Sequence, residues 1–439
     1  MRHSRVRSLL SVLLVVVVLA ACSSGSKSTS SPSGGGSFTL WSMWNKGEQG
    51  QIFLQNAIND FEKDTGVKVN VQWKGRGPLT KLLPSLNTSN VPADMVEDGV
   101  QAIADNLGAT GNAVDLTSTY NTKVPNDSQT VAQVVGPQFE KQAQIVEPDG
   151  SLGAPVAVPY LAGSYAFFYN GKTFPQLVSN PPTTWAAFTQ ILAQRKASGV
   201  NPLALDGSIS GYSSYYFQYL SMAETSADEW YHALGDKTGQ TWLQPGFLAA
   251  AEKVEQLVKA SYFIKGYNDS KYPAMEDKWA NNDSDFILMG TWIPGEVASV
   301  QAPGYDYQAF PFPSVDGKTA PPLVIDSDGL GIVKKSKHVA AAQQFVAWLL
   351  QSKYQAEVGS MTQNVPVRKG VAVPSVLGSI KTSIDAGNAY ADRMTAADNS
   401  YVNEVLFPVD DNLINGKTTA QQFVEKLASA SATYWAAKK

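Results

Sequence analysis

Apolar and polar residues alternate over residues 67–73: Val67, Val69, Val71 and Trp73 face one way, Lys68, Asn70 and Gln72 the other. That two-residue period predicts a strand. Just upstream, Leu54, Ile58 and Phe61 recur at helical spacing, and Gly66 stands where such a helix should stop. Residues 38–41 (Phe-Thr-Leu-Trp) supply a short apolar strand ahead of that helix. Strand, helix and strand in so short a stretch predict a βαβ opening and a parallel sheet. Residues 92–96 predict a further strand with Glu97 and Asp98 at its carboxyl end, and residues 157–160 and 165–170 read as extended and aromatic.

The pattern continues in the same manner. Residues 181–184 (Pro-Pro-Thr-Thr) are placed to stop one element and cap a helix that buries Trp185, Phe188 and Ile191/Leu192, and a second helix over 247–259 buries Phe247, Val254, Leu257 and Val258. Residues 285–292 predict a buried strand running into a turn, with Pro294 suited to a first helical turn. Residues 323–333 read as a glycine-interrupted strand pair, and Ser336 as the cap of a helix burying Phe345, Trp348 and Leu349. Residues 418–421 (Thr-Thr-Ala-Gln) have capping-box form before a last helix with Phe423, Leu427, Ala430 and Tyr434 on one face. Strands alternating with helices throughout predict an α/β fold.

One hydrophobic stretch fits none of these elements. Arg2, Arg5 and Arg7 precede an unbroken apolar run over 9–21, which ends Leu19-Ala20-Ala21 before Cys22. The run is shorter than the ~20 residues of a membrane-spanning helix, so it reads as a secretory signal over 1–21. Cys22 is the single cysteine of the chain and stands where lipid would attach. Residues 22–37 are a Ser/Gly/Thr linker with nothing to bury.

Composition narrows the function. The chain has 439 residues, enough for two domains. Removing the three signal arginines takes the formal charge from −4 to −7, which leaves no basic surface for nucleic acid. With Cys22 used, no thiol remains for a disulfide, a thiolate metal site or a nucleophile. The 10 tryptophans and 18 tyrosines ask for another explanation than core filling alone.

The order of motifs resembles the extracellular solute-binding proteins of ABC sugar importers, the maltose-binding-protein-like group, in lipoprotein form. The matching residues are Trp41-Ser42 at the end of the first strand; Asn59-Asp60-Phe61-Glu62-Lys63 with Gly66-Val67-Lys68-Val69; Pro92-Ala93-Asp94-Met95-Val96; and Val158-Pro159-Tyr160 with Tyr169-Asn170. They continue through Pro182-Thr183-Thr184-Trp185, Met289-Gly290-Thr291-Trp292, Gly329-Leu330-Gly331-Ile332 and Gly416-Lys417. Two departures stand out: Asn281-Asn282-Asp283-Ser284 replaces a customary glycine-lysine pair, and Asp328-Gly329 a customary pair of glycines.

The resemblance implies a two-lobe periplasmic-binding-protein-like fold of type II. Three hinge crossings would fall near residues 155–160, 312–322 and 366–374. Lobe 1 would take 38–158 plus 321–367, and lobe 2 would take 159–320 plus 368–439. It further implies a lipid-anchored, exported monomer (palmitate among the lipids on Cys22) that hands a carbohydrate, an oligosaccharide for preference, to membrane permease subunits. No cofactor or metal is expected.

A sugar offers apolar faces and a rim of hydroxyls, so its site needs flat aromatic walls and planar polar groups. In open α/β sheets such groups follow the carboxyl ends of strands. On that rule Trp292, Trp44, Asn45, Glu48, Glu97, Asp98, Asp326, Asp328 and Arg76 are candidates. Tyr160, Tyr165, Trp230 and Arg368 join them because the resembling family supplies contacts from those places. Trp185, Trp348 and Trp435 lie on apolar helical faces and are expected in the core.

Enzymatic readings find little support. His232 and His338 stand alone, there is no HExxH, no G-x-S-x-G and no P-loop. The Asp326-Ser327-Asp328-Gly329 stretch has Lys337, not glutamate, at the twelfth calcium-loop position. A glycoside hydrolase pairing Glu48 with Glu97 or Asp98 is the alternative, as is the same fold binding a polyamine, a peptide or a metal-bound anion.

Overall fold

A computed structural model describes residues 36–147, 151–391 and 400–438. The signal segment, Cys22 and nearly all of the linker lie outside the described residues. Among the described residues twelve strands follow in chain order: β1 (Ser37–Ser42), β2 (Lys68–Trp73), β3 (Met95–Gly99), β4 (Gln144–Val146), β5 (Leu152–Pro155) and β6 (Ala157–Asn170). After these come β7 (Leu203–Ala204), β8 (Phe286–Gly290), β9 (Tyr307–Phe310), β10 (Leu323–Ile332), β11 (Val365–Pro366) and β12 (Ala389–Ala391).

The opening is the βαβ unit that the periodicity implied. β1 pairs in parallel with β2 from Ser37↔Lys68 to Ser42↔Trp73, and with β3 at Leu40↔Met95. The helix between β1 and β2 spans Gln49–Thr65 and stops at Gly66, whose φ of 73° is the left-handed turn that glycine adopts without strain. Its Phe53, Leu54, Ile58 and Phe61 are buried.

The sheet is not parallel throughout. Its order is β2-β1-β3-β10-β6-β8-β7, and β10 and β6 run antiparallel to their neighbours in the middle. The cause is the length of β6. At ~3.3 Å per residue its 14 residues reach about 46 Å. One strand therefore joins the parallel β1–β3 group, through β10, to the parallel β7–β8 pair. β11 also pairs with β6, at Leu161 and Ala162.

Residues 323–332 form one strand, β10, not the expected strand pair. The glycines there serve close approach rather than a turn. A Cβ on Gly329 would lie 2.7 Å from the Val158 carbonyl oxygen, and one on Gly331 would lie 2.6 Å from Ile103. Two caps also differ in detail. Ser336 accepts from the His338 amide and donates to Asp94 without capping the helix Val339–Leu349. The last helix, Ala420–Ala437, has its capping box one residue later than expected, on Thr419 and Gln422.

Side-chain parity along β6 sorts the core. Ala166 and Phe168 join a cluster that also holds Phe38 and Leu40 of β1 and Ile287 and Met289 of β8. Tyr165, Phe167 and Tyr169 turn to a second cluster with Phe286 and Leu288. On that second face a separate cluster forms around Trp41, Val96 and Ala157. One face of the sheet is thus packed along its length, whereas the other carries two distinct cores with the middle of β6 between them.

Candidate functional site

The loops after β1, β2 and β3 build one wall. Trp44 lies two residues past β1, its indole pressed on Gly50, where a Cβ would come within 2.3 Å of the ring. Its Nε1–H donates to Glu97 Oε1 at 2.7 Å. Glu97 also accepts from the hydroxyls of Ser42 and Tyr160. All four residues are buried. Burial pushes the Glu97 carboxyl up to about 7 despite those three donors. The same burial, with Glu97 beside it, raises the Tyr160 phenol. Trp44, Glu97 and Tyr160 therefore brace the wall from behind, with Tyr160 stacked 6.0 Å from Phe53.

In front of this network stand Asn45, Glu48 and Arg76. Glu48 accepts from the Asn45 amide and side chain at 3.0 and 2.8 Å and from Arg76 Nη1 at 2.8 Å. Partial burial raises its pKa, but the Asn45 and Arg76 interactions outweigh that and leave it lowered. Arg76 also donates to the Met43 carbonyl and lies 5.0 Å over the Trp44 ring. It sits between Gly75 and Gly77, both at left-handed φ, and its side chain is 55% exposed. Asp98 accepts from the amides of Leu79 and Gly99 at 3.0 and 2.9 Å, so it secures the start of the next helical turn. Burial raises its pKa.

The opposite wall follows the carboxyl end of β8. Trp292 is half-buried and lies flat over two glycines, one on β8 and one on β6. A Cβ on Gly290 would meet its ring at 2.3 Å, and one on Gly163 at 2.6 Å. Tyr165 meets the indole edge-on at 5.5 Å and stacks on Tyr215 at 3.6 Å. Tyr165 is itself buried and supports Trp292 from below. One turn later Glu296 takes a hydrogen bond from Tyr272 at 3.4 Å. Surrounding protein pushes its carboxyl up to about 7, moderated by Tyr272 and by Arg76, while Glu48 opposes them. Arg76 and Glu48 belong to the first wall, so the two walls are within electrostatic reach of each other.

β10 crosses between them. Asp326 pairs in register with Gly163, and Asp328 with Leu161. Burial, then Glu97 and Asp98, push Asp328 up to about 7. Among the described residues no three His, Cys, Asp or Glu side chains gather to hold a metal ion.

Two sequence candidates stand elsewhere. Trp230 is wholly buried, edge-on to Phe217 at 5.8 Å and to Trp242 at 5.5 Å, and belongs to the core. Its helix, Ala227–Gly235, is amphipathic, and the indole sits on the inner face. Arg368 pairs with Asp127 and donates to Gln129 and the Leu350 carbonyl at 2.7 and 3.2 Å, which ties loops together away from either wall. The structure adds Asp206, Tyr212, Tyr272 and Glu276 to the second wall. Asp206 was within reach of the strand-end rule, because it directly follows the apolar residues 203–205. The other three follow no strand.

A competing surface groove is lined by Asn201, Phe263, Lys265, Tyr267, Asn282 and Asp283. Asn201, Asn282 and Asp283 of this groove stand just before β7 and β8, at the amino ends of those strands, whereas ligands of α/β sheets sit outside the carboxyl ends. The hydrolase alternative also loses its acids. Glu97 is occupied by Ser42, Trp44 and Tyr160, and Glu48 by Asn45 and Arg76.

Comparison with known proteins bears on the fold and the family. A multiple sugar-binding protein of Streptococcus mutans is 22% identical over 225 residues, 49% of this chain and 52% of its own. The chain thus spans about half the length of the curated relatives it matches. Among solved structures, apo RafE from Streptococcus pneumoniae superposes with a TM-score of 0.74 at 18% identity, over 92% of this chain and 99% of that one. MalE from Xanthomonas citri gives 0.72 at 16%, over 92% and 98%. These likenesses fix the fold as the two-lobe, type II periplasmic-binding architecture. The relatives are receptors, not enzymes. The family described as bacterial extracellular solute-binding protein matches residues 56–382, about three quarters of the chain, and the chain belongs to that family.

Proposed function

We propose that the chain is the carbohydrate receptor of an ABC importer, exported and tethered to the outer face of the membrane through lipid on Cys22. The observation that carries this reading is Trp292. An indole held flat across two glycines, half-exposed at a strand end, is an apolar platform of the kind a sugar face needs. Opposite it, Arg76, Asn45 and Glu48 supply donors and acceptors for a hydroxyl rim. The sugar-binding relatives support the same ligand class.

Lobe closure over the sugar is the step that a permease would recognise, and the ligand drives it by binding the closed form better. Three strands running side by side, β6, β10 and β11, support three crossings between the lobes. The experiment is a thermal-shift screen against mono- and oligosaccharides, with the ligand then recovered and analysed. A sugar at 100 times its Kd adds about 2.7 kcal/mol of stability. Stabilisation with the sugar recovered intact is expected. Cleavage of the sugar, or no stabilisation by any, refutes the reading.

A further inference from the structure

The second wall carries a carboxylate that nothing among the described residues satisfies. Glu276 is the third residue of the helix Ala274–Ala280 and is 0% exposed, yet neither carboxylate oxygen has a hydrogen-bond partner among the described residues. An unpaired buried acceptor costs about 1–3 kcal/mol, and more when charged. The charged groups acting on it are Glu296, Asp206 and Asp277, all acidic. Asp206 is itself buried and turned to the amides of Met275 and Glu276, which leaves it no spare charge to share. Tyr212 and Tyr272 border the same acids. Arg76 acts on Glu296 and Tyr272, but it is held on the first wall by Glu48 and the Met43 carbonyl.

Resting on the carbohydrate reading, we propose that Glu276, with Asp206 and Glu296 around it and Tyr212 and Tyr272 at its rim, receives a protonated amino group of the ligand, so that the captured saccharide is an amino sugar. The alternatives compensate less. A sugar hydroxyl can donate one hydrogen bond to Glu276 but leaves the mutual repulsion of the acids in place. A small metal ion needs several of these groups gathered at bonding distance, and they are spread apart instead. An ammonium group supplies both the missing donors and the missing charge, on a carrier large enough to reach Trp292 as well. Burial is what holds the carboxyl up to about 9 with no cation beside it, and the neighbouring acids add to that.

The test compares gluco- and galacto-configured mono- and disaccharides, each in amino, N-acetyl and hydroxyl form, by titration calorimetry at about pH 6.5, below the ~7.7 of an amino group of this type. At least one amino form should bind tenfold or more tighter than its hydroxyl counterpart. Glu276→Gln should abolish that preference, the amino form's affinity falling to about that of its hydroxyl counterpart. Glu296→Gln, at an exposed position, should reduce the preference and serves if the first variant misfolds. Hydroxyl forms binding as well as amino forms would overturn the amino-sugar assignment and leave the carbohydrate reading standing. Binding of no sugar in any form would overturn both.

Discussion

Gly290 gives a way to move Trp292 without removing it. An added Cβ would lie 2.3, 2.3 and 2.5 Å from three atoms of the indole, against the ~3.5–4.0 Å of an ordinary carbon contact. The ring must retreat by more than about 1 Å. Gly290 is not at positive φ, so alanine suits its backbone and the effect is confined to the clash. Overpacking of this kind costs about 1–3 kcal/mol, here felt at a ring that one face leaves free to lift. If the sugar stacks on that ring, Gly290→Ala should weaken binding by about 5- to 150-fold, at tenfold per 1.4 kcal/mol. The assay is titration calorimetry with whichever sugar the screen selects, run on Gly290→Ala, Trp292→Ala and the double variant. Because glycine acts here only through the indole, Gly290→Ala should add nothing in the Trp292→Ala background. Wild-type affinity in the single variant, or an equal loss in both backgrounds, would refute the reasoning.

Trp230→Ala should lower stability by about 3–5 kcal/mol, since the residue is fully buried among Phe217 and Trp242, and a fall in urea midpoint at constant slope would register it. Lost sugar binding with unchanged stability would instead place Trp230 in the site. The pH dependence has a definite sign. Burial holds Glu97 at about 7 against an ordinary 4.5, so its contribution is complete below about pH 4.5 and is lost as pH rises through 7. Asp328 and Glu296, also raised to about 7, add in the same direction. Stability toward urea should therefore be greater at pH 5 than at pH 7.5, and Glu97→Gln should reduce the difference. A flat or rising profile over that interval would contradict the burial argument.

The elements most legible in the sequence were those whose pattern is local. The helix closed by Gly66, the strand of alternating valines after it and the Thr184 cap all follow from period and capping chemistry. What escaped depended on neighbours distant in sequence. The glycines of β10 read as a turn, because nothing local reveals that Val158 and Ile103 press against them. The sheet reads as parallel because no period announces that β6 runs on past one lobe into the next.

The site divides along the same line. Strand-end reasoning named Trp292, Arg76 and Glu48 separately as candidates, and only the structure pairs Arg76 with Glu48. It could not show that Glu97, another strand-end acid, would be consumed by Ser42, Trp44 and Tyr160. Nor could it reach Glu276, which follows no strand and owes its interest to the partners it lacks.

A crystal structure of the protein grown with the saccharide selected by the screen bears most directly on the central claim. The account predicts the sugar between the lobes, one ring face on the Trp292 indole and its hydroxyls within hydrogen-bond reach of Arg76 or Glu48. A sugar seated instead in the groove beside Phe263 and Lys265, or one touching a single wall with Trp292 bare, would contradict it.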